Sequence, residues 1–389
     1  MKLNIPENYK NVLKKLTDMG FQAYIVGGCV RDLLLGITPD DYDVTTSATP
    51  QQIKKVFQKT IDTGIKYGTV TVIEGDAVCE VTTFRSETTY SDMRRPDSVE
   101  FVSDIKSDLS RRDFTINAIC YNPDTGIIDC FNSQNDLHNG ILRTVGNAEE
   151  RFKEDPLRIV RLFRFSSTLD FEIADETYCA AVKHSPLIKN ISRERIATEI
   201  SKAACGKNVE SFNSLIGCGA LNFCGIENAN IQNISLLNGS QNLRLYAFLK
   251  ATSKEISIPL KELKMNNAFK KYCVDMEYLS ANMKTLTVVE IKTLMRKVDI
   301  SIIADYVEFK KIVDETDISE AFKTANKIIS ANEPYKISHL NICGNDLSSL
   351  GFTGKQIGSI LEFLIEKVIY DKTLNTKEAL IKIAKEKRN

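Results

Sequence analysis

From Tyr9 to Met19 the apolar residues Val12, Leu13, Leu16 and Met19 recur at helical spacing, and Gly20 follows as a natural end cap. The period then changes. Ala23-Tyr24-Ile25-Val26 predicts a strand that stops at Gly27-Gly28, a helix follows through Leu33, Leu34 and Leu35, and Tyr42-Asp43-Val44 predicts a second short strand. Thr49-Pro50 supplies the cap and first position of a helix that carries Ile53, Val56 and Phe57. Residues 70–73 and 78–84 flank Glu74-Gly75-Asp76-Ala77 and predict a hairpin; residues 119–121 and 127–129 predict another. From Ala148 onward Phe152, Leu157, Val160, Leu162 and Phe163 keep helical spacing, and no later segment alternates convincingly as a strand. The fold class is therefore α+β, a head with a small mixed sheet followed by an all-helical remainder. An Asn-rich stretch over residues 227–242 reads as a joint, and residues 358–368 and 376–387 read as amphipathic helices.

The chain has 389 residues, room for two or three domains. Its 43% apolar and 26% charged residues exclude a disordered or low-complexity scaffold. Lys plus Arg equals Asp plus Glu at 51 each, so bulk charge argues for neither a nucleic acid nor a membrane, and only the placement of charges carries information. No apolar run approaches the roughly 18 to 20 residues of a membrane span. The start, Met1-Lys2-Leu3-Asn4-Ile5-Pro6-Glu7, lacks an apolar signal core, so the expected setting is cytoplasmic, without a membrane partner. Ten cysteines without a CxxC pair suggest neither a zinc site nor a disulfide frame; most read as small buried residues. None of His138, His184 and His339 precedes an Asp, so an appended His-Asp phosphohydrolase module has no support.

Four constellations carry chemistry. In Asp41-Tyr42-Asp43, residues two apart in an extended chain share a face, so the carboxylates converge and repel unless a cation sits between them. Such hard oxygen ligands suit Mg²⁺ that also grips a triphosphate. Pro39-Asp40-Asp41 alone has turn composition, and an acidic turn is the plainer reading of the motif in isolation. Gly27-Gly28-Cys29-Val30-Arg31-Asp32 joins strand to helix, where backbone N–H groups and Arg31 can meet a phosphate; alone it is an ordinary turn, and its place ten residues before the carboxylates raises it. Glu80 reads as an exposed edge glutamate, with a third carboxylate near the metal as the alternative.

In Arg111-Arg112-Asp113-Phe114-Thr115-Ile116-Asn117-Ala118, Arg112 and Asp113 set a donor fork beside an acceptor, which suits a ribose with two hydroxyls; a surface ion pair at a helix start is the bland alternative. In Glu154-Asp155-Pro156-Leu157-Arg158-Ile159-Val160-Arg161, spacings of three place Asp155, Arg158, Arg161 and Arg164 along one expected helical ridge, with Pro156 inside the helix and able to bend it. Asp155 is also a good helix cap, and Glu154 with Arg158 an ordinary ion pair. An Asp beside an Arg can accept from a base amino group and donate to the neighbouring ring acceptor. Cytosine and adenine both present that edge, uracil and guanine the reverse, so the pair would admit CTP and ATP.

In this order the motifs resemble the class II tRNA nucleotidyltransferases, the CCA-adding enzymes, and the related bacterial poly(A) polymerases. The likeness extends through Asp124-x-Gly126 to Asp136-Leu137, a hinge motif, and Ser192-Arg193-Glu194-Arg195, a supporting helix, and spans residues 24 to about 202. Gly344-Asn345-Asp346-Leu347 with Leu350-Gly351-Phe352 resembles the family's tail. The resemblance implies a polymerase-beta-type head over residues 1–147, a neck over 148–207, a body over 208–295 and a tRNA-binding tail over 296–389. It implies that Asp41 and Asp43 hold Mg²⁺ and activate the tRNA 3′ hydroxyl, and that Gly28 and Arg31 bind the triphosphate. Arg112 and Asp113 would contact ribose, Asp155 and Arg158 would read the base, and Arg161 and Arg164 would complete the pocket. The partners implied are tRNA lacking all or part of its CCA, with CTP and ATP as substrates, and a homodimer is left open. Tyr90-Ser91-Asp92-Met93-Arg94-Arg95-Pro96-Asp97 resembles the loop that CC-only members lack, which favours full CCA addition over CC-only or A-only addition, and the short basic end disfavours poly(A) synthesis. A catalytically dead RNA-binding protein is the reading from another class, against which stand the intact acidic and basic positions. Gly351-Phe352-Thr353-Gly354-Lys355-Gln356 imitates a P-loop with the wrong spacing and reads as a loop before a helix.

Overall fold

The computed structural model describes residues 2–87, 99–283 and 287–388. The loop expected over residues 90–97 lies outside them. Two compact units form: one from Met1–Ile231 with Thr252–Lys264, the other from Gln232–Ala251 with Met265–Asn389. The first crossing, after Ile231, falls inside the Asn-rich stretch.

The first unit opens with β1 (Ala23–Val26), β2 (Val44–Thr46), β3 (Thr60–Gly64), β4 (Thr69–Glu74) and β5 (Ala77–Thr83). It continues with β6 (Arg85–Glu87), β7 (Val99–Phe101), β8 (Ile119–Asn122), β9 (Gly126–Asp129), β10 (Ile141–Leu142) and β11 (Glu172–Ile173). Seven of these make one mixed sheet in the order β3-β4-β5-β2-β1-β8-β9. Only β2 and β5 pair parallel in it. Helices α1 (Glu7–Asp18), α2 (Gly28–Leu34), α3 (Pro50–Val56), α4 (Ile105–Ser110) and α5 (Ser133–His138) belong to the same head. After them come α6 (Ala148–Glu154), α7 (Leu157–Leu169), α8 (Asp175–His184) and α9 (Arg193–Ala204).

Alternation along the strands builds two cores. Ala23 and Ile25 of β1, with Ile119 and Tyr121 of β8, face Val12, Leu13 and Leu16 of α1 and Ile53 of α3. Tyr24, Val26 and Cys120 face the other way, onto Phe84, Leu109 and Val145. Buried on both faces, β1 is a rigid centre for the turn that follows it. The first hairpin closes through Gly75-Asp76 with Glu74 opposite Ala77, and Gly75 takes φ +59°, as the first position of a two-residue hairpin turn requires. Thr49 and Gln52 cap α3 reciprocally.

Three expectations need correction. The second strand begins at Val44, so Asp41 and Asp43 lie on the extended approach to it. Pro156 does not bend a helix: α6 ends at Glu154, α7 starts at Leu157, and Pro156 sits at the junction, where its missing N–H costs nothing. Glu172–Ile173 forms a two-residue strand, parallel to β10, inside the stretch read as wholly helical. Five of the ten cysteines, Cys29, Cys79, Cys120, Cys224 and Cys273, are buried, and Cys179, Cys218 and Cys343 are exposed. In the second unit the helices Lys355–Tyr370 and Lys377–Arg388 share a core of Leu364, Ile365, Val368, Leu380 and Ala384. Among the described residues no helix is long and apolar enough to cross a membrane.

The packing of α7 on α9 aims the side chains considered next. The chain leaving α9 returns to α7 by Lys207 and Asn208, whose N–H groups both bond to the Ser167 carbonyl at 2.8 and 2.9 Å, while the Ser167 hydroxyl donates to the Ala203 carbonyl at 2.7 Å. A methyl group at Gly206 would lie 2.6 Å from the Ser167 carbonyl carbon and oxygen. Gly206→Ala should therefore destabilise the first unit by about 1–3 kcal/mol, read as a lower urea midpoint; an unchanged midpoint would show that the two helices separate without cost.

Candidate active site

Asp41, Tyr42 and Asp43 alternate out, in and out. Tyr42 is buried and packs against Tyr9 of α1 at 4.5 Å between ring centroids and a 31° tilt, so the two carboxylates are pinned to the opposite, open side. The Asp43 carbonyl accepts from the Val26 N–H at 3.0 Å, extending the β1–β2 ladder to the residue that carries the carboxylate. The sheet also corrects the view of Glu80: β5 is flanked on both sides, so Glu80 is no edge residue, and the pairing of Val44 with Val81 brings it beside Asp43.

Asp43 is open to solvent on one side but walled on the others, and its carboxyl is pushed up to about 6. Loss of hydration contributes most, Asp41's charge next, with Glu80 adding and Arg112 opposing. A carboxylate crowded by two others is a place where a divalent cation would be favourable, and an all-oxygen donor set suits a hard ion. No group of three or more metal-ligating side chains converges among the described residues, so Asp41 and Asp43 fit such an ion only with further oxygens from substrate or water.

Beside the carboxylates, Gly27 takes φ +79°, and a methyl group there would come within 2.8 Å of an Arg112 guanidinium nitrogen. The positive φ is what requires glycine at this turn, and a side chain there would also displace the Arg112 guanidinium. Gly28 opens α2, and a methyl group there would meet only the Arg31 guanidinium, at 3.6 Å. Arg31 bonds Asp32 through Nε at 2.8 Å and the Asn117 side-chain oxygen through Nη1 at 2.7 Å. The Nε of Arg112 is buried without a hydrogen-bond partner among the described residues, and the guanidinium charge acts on Asp43 and Asp108.

Asp113 behaves differently from a free ribose acceptor. Arg161 gives it two hydrogen bonds, at 2.9 and 2.6 Å, and Asn117 and the Phe114 N–H give it two more, at 3.1 and 2.9 Å. Burial would raise this carboxyl; the Arg161 charge and these bonds overcome it and hold it well below the usual range. Its acceptor positions are thus filled by protein. Arg161 and Arg164 share Glu199 of α9, at 3.5 and 2.9 Å. Burial, then repulsion from Arg161, lowers Arg164 to about 10 in spite of Glu199.

The expected ridge of Asp155, Arg158, Arg161 and Arg164 does not form as drawn, because Asp155 stands off the helix with φ −141°. Its side chain accepts from the Leu157 N–H at 3.0 Å, as a cap, and from Arg195 of α9 at 2.7 Å. Arg158 is buried, bonded to Glu154 at 3.1 Å and to the Arg111 carbonyl at 3.0 Å. Arg111 in turn grips Asp108, a wholly buried carboxylate that also accepts from Thr45 of β2. Asn117, Asp108, Arg195 and Glu199 join the site only through the fold, with no local spacing in the sequence that assigns them to it. Glu199 had a signal: it shares a helix face with Ile196, Ile200 and Ala203, where an acidic residue must find a buried partner.

A sheet with two carboxylates at its open end, a glycine turn and a set of arginines, continued by helices, is the architecture of a nucleotidyltransferase head. Residues 23–143 match the Poly A polymerase head domain, and residues 170–224 match the probable RNA and SrmB-binding site of polymerase A. The CCA-adding enzyme of Ligilactobacillus salivarius is 36% identical over 98% of this chain and 97% of its own. That of Staphylococcus aureus strain MRSA252 is 44% identical over 67% of this chain and 66% of its own. The crystal structure of the Bacillus stearothermophilus CCA-adding enzyme in complex with CTP superposes with a TM-score of 0.85 at 28% identity, covering 98% of this chain and 97% of that one. This chain belongs to the tRNA nucleotidyltransferase family of CCA-adding enzymes.

The raised Asp43 carboxyl has a signed consequence. Its folded-state value lies above the unfolded one, so the folded protein holds the proton more tightly between about pH 4 and 6, and stability falls as pH rises through that window. Above pH 6, without a divalent ion, Asp43→Asn should raise the melting temperature while abolishing any stabilisation by added Mg²⁺. A variant that melts no higher than the parent in chelator at pH 7.5 would show that the fold does not penalise the charged Asp43 carboxylate.

Proposed function

We propose that this chain adds C, C and A to the 3′ end of tRNA without a nucleic-acid template, taking CTP and ATP and releasing pyrophosphate. The observation that carries the reading is the coexistence of the Asp41–Asp43 pair with an Asp155–Arg158 pair held by protein partners, in a chain aligned end to end with a CCA-adding enzyme. On this reading Asp41 and Asp43 take Mg²⁺, which when bound neutralises phosphate charge and lowers the pKa of the attacking hydroxyl. Gly28 and Arg31 hold the triphosphate, Arg161 and Arg164 close the nucleotide pocket, and Arg112 faces the ribose. Asp113 acts by fixing Arg161 and Asn117. Asp155 accepts from the exocyclic amino group of cytosine or adenine, and Arg158 donates to the adjacent ring nitrogen, a pair of contacts discriminating by about 1–3 kcal/mol against the reversed edges of uracil and guanine. We also propose the division into head (residues 1–147), neck (148–207), body (208–295) and tail (296–389), with the tail meeting tRNA.

The test is extension of an end-labelled tRNA transcript lacking CCA, read at single-nucleotide resolution with CTP, ATP or both. The reading requires two additions with CTP alone, three with both nucleotides, and none with Asp41→Ala/Asp43→Ala. A stop at two in every mixture would make the protein a CC-adding enzyme, a long A ladder a poly(A) polymerase, and no product a binding protein.

A further inference from the structure

Phe165 belongs to none of the roles above, yet three arginines assigned to the nucleotide gather on it. The ring lies in α7 and is 3% exposed. The guanidinium carbon of Arg164 lies 3.4 Å from its centroid, with those of Arg31 and Arg161 at 5.2 and 5.3 Å, all within the range of cation–π attraction. Phe114 meets the ring edge-on at 5.7 Å and 82°, which holds its plane. Three cations so close repel one another; Asp113 and Glu199 offset this in part and take N–H groups of Arg161 and Arg164 in doing so. An aromatic face attracts a guanidinium without taking a single donor. Arg164 gives the described residues only its Nε, to Glu199, and keeps Nη1 and Nη2 unspent while stacking closest to the ring.

We propose that Phe165 is a positioning residue that holds Arg31, Arg161 and Arg164 together before substrate arrives and leaves the outer N–H groups of Arg164 directed to the triphosphate. The inference rests on the nucleotide-adding reading above. It assigns Phe165 to the phosphates and not to the base, and this sets the test. Phe165→Leu keeps the site apolar and removes the π face. It should raise KM for CTP and for ATP by roughly 5- to 30-fold, weaken inhibition by inorganic pyrophosphate in parallel, and leave kcat and the preference for CTP over UTP within about twofold of the parent. Phe165→Tyr, which restores the ring, should recover nucleotide KM and pyrophosphate inhibition. If Phe165→Leu does not fold, Phe165→Met carries the same expectation. Parent-like KM and pyrophosphate inhibition in the folded non-aromatic variant, relaxed base preference, or equal defects in the Leu and Tyr variants would each overturn the proposal. A parent protein that transfers no nucleotide at all would instead overturn the reading on which it rests.

Discussion

Asp113 has every acceptor position filled: two N–H groups from Arg161, one from the Asn117 side chain and one from the Phe114 backbone. This carboxylate joins the sheet to α7, and the other site groups hang from it in sequence. Asn117 passes the linkage to Arg31 at the glycine turn, and Arg161 passes it through Glu199 to Arg164. A buried carboxylate with one partner removed would leave an uncompensated charge, which is why such a pair specifies geometry more reliably than it adds stability. Arginine is the residue that can do this, since its planar fork serves a carboxylate on one edge while other N–H groups remain for a substrate.

A second linkage runs in parallel. Asp108 ties Thr45, one residue past the start of β2, to Arg111, whose carbonyl receives Arg158. Asp155, at the α6–α7 junction, is oriented by Arg195 from α9. The proposed base-reading pair is therefore set by two different helices and a backbone carbonyl, and its spacing is fixed before any base arrives. The carboxylates at the sheet end are the opposite case. Among the described residues Arg112 offsets their mutual repulsion only in part, and Asp43 keeps a raised proton affinity that a bound cation would relieve.

Much of this was legible in the chain. The period of 3.6 located α1, one side of which is buried, and short apolar runs bounded by turn residues located β1 and both hairpins. Asp41 and Asp43 share a face as expected, although the strand itself starts at Val44. The partners were harder to read. Arg195 lies 40 residues from Asp155, and Glu199 lies 35 from Arg164, so no local spacing connects them. Treating residues 154–164 as one helix hid the break at Pro156, and with it the turn that lets Asp155 leave the ridge and reach α9. Asp113 reads as a free acceptor because Arg161, which fills two of its lone pairs, comes from another element 48 residues away.

On the proposed reading, protein side chains prefixed by their own ion pairs stand in for a template strand. The most direct measurement is the ratio of kcat/KM for CTP to that for UTP in Arg195→Met, with tRNA lacking CCA as acceptor. Removing the group that orients Asp155 should lower that ratio by about 5- to 150-fold, the factor a bidentate base contact supplies, with the fold intact. A variant that keeps the parent's ratio would contradict the claim and place base selection elsewhere.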